Sequence, residues 1–222
     1  MAPAILALQT LADLDLSECA ALQSAISRRR NFAPRQEILA EGAALSQPLL
    51  MLEGWAYRTH LLADGRRQII QFLVPGDLIA NVDGVSAPAS IIALTELNLC
   101  AAPAAGSEGS GLARAYAAMR ALDERYLFRQ ITRLGRLSAY ERLVDWFCEV
   151  HERLARSQSC GGNAMTLPVT QEMMADTLGL TNVHINRTLQ ALRRDGIIET
   201  VGKTVRLLDH GACQAIVGHR VR

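Results

Sequence analysis

The stretch from Thr170 to Gly196, TQEMMADTLGLTNVHINRTLQALRRDG, constrains the fold of this chain more than any other. Thr170 is placed to cap a helix, and Glu172 to Leu178 makes two turns with Met174 and Leu178 four apart on the apolar side. Gly179 supplies a tight turn where a side chain would resist the backbone angle. Leu180 then plugs the corner, and Thr181 caps a second helix with Ile185, Leu189 and Leu192 on its buried face. The small Ala175 lets the two helices approach closely. Helix, glycine turn and capped helix at this spacing predict a helix-turn-helix. After Gly196, Ile197–Val201 and Thr204–Leu208 are joined at Gly202-Lys203, which predicts a hairpin wing.

The outer face of the second helix carries Asn182, Val183, His184, Asn186, Arg187 and Gln190. Asn and Gln match adenine edges, Arg matches guanine, and Val can meet a thymine methyl. Arg193 and Arg194 lie nearer the C-terminal end, where phosphate contact or solvation fits better, and Lys203 at the wing tip can reach phosphate. With the cap Thr181, the expected DNA-contacting set is Thr181, Asn182, Val183, His184, Asn186, Arg187, Gln190, Arg193 and Lys203. Between Thr181 and Arg206 five basic residues stand against two acidic ones, in a chain whose formal net charge is +1. A near-neutral total neither demands nor excludes nucleic acid, because binding needs a local basic surface. Lys203 is the only lysine, so the positive charge is almost all arginine, suited to bidentate contacts.

Upstream, Leu14 to Ile26 has helical spacing and ends in Arg28-Arg29-Arg30, read as a solvated helix end. From Phe32 to Ala102, short strand-like runs alternate with turn signals at Pro34, Glu41-Gly42, Glu53-Gly54, Asp64-Gly65, Pro75-Gly76-Asp77 and Asp83-Gly84. Asp64-Gly65 between Tyr57–Leu62 and Gln68–Val74 predicts a hairpin, and Ile91 to Ala101 the last strand. Gly106–Gly111 is a small-residue joint, and Leu112–Leu137 has no proline, so one helix roughly 39 Å long is expected. Leu112, Ala115, Met119, Leu122 and Tyr126, continued by Leu127, Ile131 and Leu134, form an apolar stripe expected to dimerise; packing on its own roll is the alternative. Ser138–Arg156 makes another amphipathic helix, with Leu143, Trp146, Phe147, Val150 and Leu154 inward, and Leu167-Pro168-Val169 a short extended piece. The expected fold class is α+β: a β-roll with a short N-terminal helix over residues 1–105, a dimerisation helix over 106–137, and a winged helix-turn-helix over 138–222.

Other classes find little support. Met1 to Leu11 lacks a basic leader region and no run reaches the ~20 apolar residues of a membrane span, so a cytoplasmic protein is expected. Cys19, Cys100, Cys148, Cys160 and Cys213 are scattered, which argues for free thiols. Cys100 and Cys148 are candidates for redox sensing, with buried inert thiols the preferred reading. His60, His151, His184, His210 and His219 are dispersed, and no metal site is assigned. An enzyme using the roll as a cup would need clustered ligands, and His60, Glu53, Asp77 and Asp83 lack that spacing, so no enzymatic activity is expected. A scaffold whose helix-turn-helix meets protein is the remaining rival.

The order of β-roll, long helix and winged helix-turn-helix resembles the regulator superfamily named for the cyclic-AMP receptor protein and the fumarate–nitrate reductase regulator. The resemblance runs from about residue 30 to residue 208, carried by residues 170–198, VGKTVRL and the Val74-Pro75-Gly76-Asp77 turn. It implies a cyclic-nucleotide-binding-type jelly roll, a symmetric dimer on palindromic double-stranded DNA, and contact with RNA polymerase. Arg187 matches the family's recognition-helix arginine, whereas Val183 stands where relatives carry Glu, so a different half-site is expected. Cyclic-nucleotide binders place a Gly-Glu pair and an Arg-Ser/Thr pair around the phosphate and ribose. The corresponding LIANVDGVSAPASI, from Leu78 to Ile91, holds neither Glu nor Arg and keeps only Ala89-Ser90. A buried phosphate without its guanidinium is costly. The N-terminal cysteine cluster of iron–sulfur relatives is missing too, and Cys19 alone cannot hold one. Neither cyclic AMP nor an iron–sulfur cluster is therefore expected and no cofactor is assigned; the signal is left open between a ligand, a thiol change and protein abundance alone.

Overall fold

The computed structural model describes residues 2–80 and 86–218, and the expected turn at Asp83-Gly84 lies outside them. Two helices lead, α1 (Pro3–Gln9) and α2 (Leu16–Ser27). The first was not expected; Pro3 suits its opening turn, where the missing N–H has no helical partner to lose. The second opens with a capping box in which Asp15 accepts from the Glu18 N–H at 2.8 Å and Glu18 accepts from the Asp15 N–H at 2.9 Å.

Eight strands follow: β1 (Arg30–Phe32), β2 (Glu37–Leu39), β3 (Leu49–Glu53), β4 (Ala56–Leu61), β5 (Arg67–Leu73), β6 (Leu78–Ile79), β7 (Ser90–Ala93) and β8 (Leu97–Ala101). They pair antiparallel into two four-stranded sheets, β1-β8-β3-β6 and β2-β7-β4-β5. Facing side chains of Leu39, Leu49, Met51, Ala56, Leu73, Ile79, Ala87, Ile91, Ala93, Leu97 and Leu99 fill the roll. The hairpin at Asp64-Gly65 forms as expected. The single strand expected from Ile91 to Ala101 is instead two, because the chain changes sheet between them. At that corner Leu94 and Thr95 donate to the Trp55 carbonyl, and Gly54, at φ +80°, lies so close to Glu96 that a Cβ would sit 2.1 Å from its carbonyl oxygen.

Helix α3 (Gly111–Arg136) is capped by Ser110, and Glu18 also accepts from the Leu112 N–H at 2.8 Å. One carboxylate thus satisfies backbone donors at the starts of two helices. The structure divides the stripe read from the sequence as a dimer seam. Leu112, Ala115 and Met119 pack against α1, α2 and the roll residues Leu50, Leu52, Leu78 and Cys100, within the chain itself. Tyr126 is 3% exposed beneath Arg153 and Arg156, and Leu122, Leu127 and Leu134 are half-buried. Of that set only Ile131 stands clear of the chain, at 67% exposure. The reason is that the N-terminal helices and the roll flank the helix on the side this stripe occupies.

Helix α4 (Ala139–Arg156) precedes β9 (Ala164–Thr166), α5 (Gln171–Leu178), α6 (Asn182–Arg194), β10 (Ile198–Val201), β11 (Thr204–Leu207) and α7 (His210–Val217). The wing sheet has three strands in the order β10-β11-β9, so the extended piece expected at Leu167–Val169 pairs slightly earlier; neither this third strand nor α7 was expected. The C-terminal core is continuous with the outer face of the roll. Phe72 on β5 lies 5.7 Å from Trp146 on α4 between ring centroids, and Trp55 lies 6.2 Å from Phe72. Burying each such ring contributes roughly 1.5–3 kcal/mol, enough to hold the two units as one packed body. Among the described residues no helix is long and apolar enough to cross a membrane.

Candidate nucleic-acid interface

Local chemistry sets the helix-turn-helix. Thr170 accepts from the Met173 N–H at 3.2 Å and starts α5. Gly179 ends it at φ +62°, ψ 41°, and the Leu180 N–H reaches back to the Ala175 carbonyl at 3.1 Å. Two residues beyond the glycine, Thr181 accepts from the His184 N–H at 3.3 Å and starts α6. Ile185, Thr188, Leu189 and Leu192 point into the core, as the spacing requires.

The opposite face is open. Asn182, Val183, His184, Asn186, Arg187, Gln190, Arg193 and Arg194 are all exposed, as is the cap Thr181. Val183 is the one large apolar residue among them, 63% exposed. Arg187 makes no side-chain hydrogen bond or ion pair among the described residues, so its guanidinium faces solvent uncommitted. Lys203 at the wing tip is likewise exposed and unpaired among them. The other cations are partly engaged: Arg193 donates to Thr200 Oγ1 at 3.0 Å, Arg194 pairs with Asp195 and Arg206 with Glu199, each at 3.2 Å. Gln190 Nε2 donates to Asn186 Oδ1 at 2.9 Å, one turn back. The sequence-read set therefore does come together on one surface, with free positive charge at two points and hydrogen-bonding groups between.

Residues that sequence reasoning passed over hold this surface in place. Arg142 on α4 donates to the carbonyls of Leu134 and Leu178 at 2.9 Å and of Leu137 at 2.8 Å, closing the C-terminal ends of α3 and α5 together. Arg67 on the roll hairpin pairs with Asp176 on α5 at 2.5 Å, and Gln130 on α3 donates to the Thr177 carbonyl at 2.6 Å. Below them, Arg133 on α3 binds Asp145 and Glu149 on α4, both at 2.6 Å, with Arg133 and Asp145 at most 1% exposed. Arg153 binds Asp77 of the Pro-Gly-Asp turn at 2.5 Å. No periodicity marks these residues, since each partner lies on a different element.

The redox candidates are enclosed. Cys100 is buried in the roll, and burial pushes its thiol up to about 11, leaving it protonated near neutrality. Cys148 is buried beside Cys213 inside the C-terminal core, and that neighbour together with burial pushes its thiol up and holds its proton on. The roll interior is lined mostly by aliphatic side chains, and Arg58, in register with core-facing Ile91 and 11% exposed, brings one guanidinium to it, held by Gln71 at 2.9 Å and by Asp123 of α3 at 3.1 Å.

A winged helix-turn-helix with an uncommitted recognition face, carried on a β-roll by a long helix, defines a DNA-binding transcription regulator. Residues 29–107 match the family described as cyclic nucleotide-binding domain, and residues 141–215 the Crp-like helix-turn-helix domain. The transcriptional activator protein FnrL of Cereibacter sphaeroides is 30% identical over 197 residues, covering 85% of this chain and 79% of the relative. The nitrogen fixation regulation protein FixK of Bradyrhizobium diazoefficiens is 30% identical over 202 residues, 86% of this chain and 82% of that one. The solved structure of FixK2 from Bradyrhizobium japonicum superposes with a TM-score of 0.73 at 27% identity, over 85% of this chain and 96% of that one. The chain belongs to the CRP/FNR family of transcription regulators.

Proposed function

We propose that the protein works as a homodimer on a palindromic site, in the cytoplasm, and binds DNA without a cyclic nucleotide or a metal cluster. The observation that carries the dimer is the outer face of α3. Phe128 and Ile131 are 62% and 67% exposed. Ala117, Ala121, Glu124 and Gly135, also exposed, fall in register with them at alternating steps of four and three. A heptad stripe with a solvent-facing Phe and Ile matches a second copy of the same helix. Parallel pairing about a two-fold axis presents two recognition helices, about 34 Å apart on adjacent major grooves.

The lining of the roll supports independence from a nucleotide. The Leu78–Ile91 stretch supplies no guanidinium or ammonium, and Arg58, in register with core-facing Ile91, is already held by Gln71 at 2.9 Å and Asp123 at 3.1 Å, so a cyclic phosphate there would compete with a carboxylate for it. The roll then serves as a rigid support, through Arg67–Asp176 and the Phe72–Trp146 ring contact, rather than as a ligand cup. The chain's action is then binding, with no catalytic step, and family membership supports contact with RNA polymerase.

Selection of random duplexes by the purified, ligand-free protein, with sedimentation velocity on the same sample, tests this. The expected result is a dimer and an enriched inverted repeat with half-sites one helical turn apart. Phe128→Glu with Ile131→Glu should give a folded monomer that no longer selects the repeat. A dimer that survives both substitutions would refute the seam, and selection only after adding cyclic nucleotide would refute effector independence.

A further inference from the structure

We propose that Val183 and Asn186 together read one thymine in each half-site, beside a guanine taken by Arg187. The assignment rests on the regulator reading above and adds which base the recognition helix demands. Val183 is the sole large apolar side chain on the open face of α6. As an exposed, β-branched residue it contributes neither core packing nor helix propensity there. Asn186 and Arg187 follow it by three and four residues, so all share one face with Cβ atoms about 5–6 Å apart.

The hydrogen bond from Gln190 Nε2 to Asn186 Oδ1, 2.9 Å long, decides what Asn186 can offer. One lone pair of its amide oxygen is engaged, and its NH2 has no partner among the described residues and is available as a donor. A bidentate adenine contact would have to share that oxygen with Gln190, whereas a contact through the NH2 alone leaves the Asn186–Gln190 pair undisturbed. An apolar branch next to a donor complements thymine, whose major-groove edge sets the C5 methyl beside the O4 acceptor. Cytosine would oppose donor to donor and offers no methyl, and guanine offers acceptors without an apolar group. The uncommitted Arg187 then has the fork geometry for guanine O6 and N7.

Removing a methyl without touching any hydrogen-bonding group tests this. Each thymine of the duplex selected by the wild-type protein is replaced singly by deoxyuridine, and affinity is read by fluorescence anisotropy at fixed salt. One thymine per half-site should lose about fourfold, the equivalent of about 0.8 kcal/mol for one buried methyl, and a site lacking both methyls about fifteenfold. Val183→Ala, at an exposed position that leaves the core intact, should bind thymine and uracil there equally while keeping the guanine preference. Asn186→Ala should relax choice at that same base pair alone. A selected palindrome whose thymines all exchange for uracil without loss would overturn the assignment and leave the regulator reading standing. No enriched duplex at all would overturn both.

Discussion

Substituting Arg133 by Met removes a charge from the joint between the long helix and the DNA-binding unit while keeping the length and apolar stem of the side chain. Arg133 is 1% exposed and donates to Asp145 Oδ2 at 2.7 Å and to Glu149 Oε2 at 2.6 Å, with Gln130 Oε1 as a further acceptor. Asp145 is fully buried and Glu149 is 5% exposed, so neither carboxylate can recover hydration. Removing one partner of a buried ion pair costs about 3–5 kcal/mol. Here Asp145 keeps Arg129 at 2.8 Å and Glu149 keeps Arg153 at 3.6 Å, which places the expected loss at the lower end, about 3 kcal/mol. With a urea dependence of about 3 kcal/mol per molar, the midpoint should fall by about 1 M. The assay is equilibrium unfolding followed by Trp fluorescence, since Trp146 lies between Phe72 and Phe147 in the same core. Wild type and variant must be compared at one protein concentration, because association shifts apparent stability. Adding Glu149→Leu should recover part of the loss, since Arg153 retains Asp77. A midpoint shift below about 0.3 M for Arg133→Met would mean that these charges keep their hydration, and the buried-network account of the joint would be wrong.

The same network predicts an acid response. Burial alone would raise the Asp145 pKa, but the charge of Arg133 and the hydrogen bond and charge of Arg129 outweigh it and hold it below the ordinary aspartate range. A depressed folded-state value stabilises the protein above the unfolded pKa, and that contribution is lost as pH falls through the folded one. Thermal midpoints should therefore drop below about pH 4, and less steeply in Asp145→Asn. Arg142→Met frees three carbonyls at the ends of α3 and α5; a loss of about 2 kcal/mol in stability is expected, together with weaker DNA binding, since α5 loses an anchor. Unchanged affinity in a folded Arg142→Met protein would show that this anchor does not position α5. Arg187→Ala should cost about 1–3 kcal/mol and relax selectivity at one base pair. Lys203→Ala should instead weaken all sequences alike and lower the salt slope by about one per wing.

What could be read along the chain and what could not divides by the range of the interactions. Thr170, Gly179 and Thr181 act through backbone groups no more than five residues away, so the helix-turn-helix and its exposed face were legible before any coordinates. Asp64-Gly65 is local in the same sense. Helix α3 was legible in length but not in orientation. Its sequence carries two apolar stripes, and which one is covered depends on where α1, α2 and the roll settle, information that no window on the helix contains. The first half of the stripe read as a dimer seam is covered within the chain, Ile131 from its second half stays exposed, and Phe128 beside it was passed over. The corner that splits Ile91–Ala101 depends on Trp55 and Gly54, some 40 positions away in sequence. Arg67 and Asp176, 109 residues apart, carry no signal in either neighbourhood. By itself the sequence determined the class of protein, because caps, turns and helical periodicity are short-range chemistry. Only the tertiary structure decided which surfaces stay free for DNA and for a second copy, because burial is set by whatever packs alongside from distant parts of the chain.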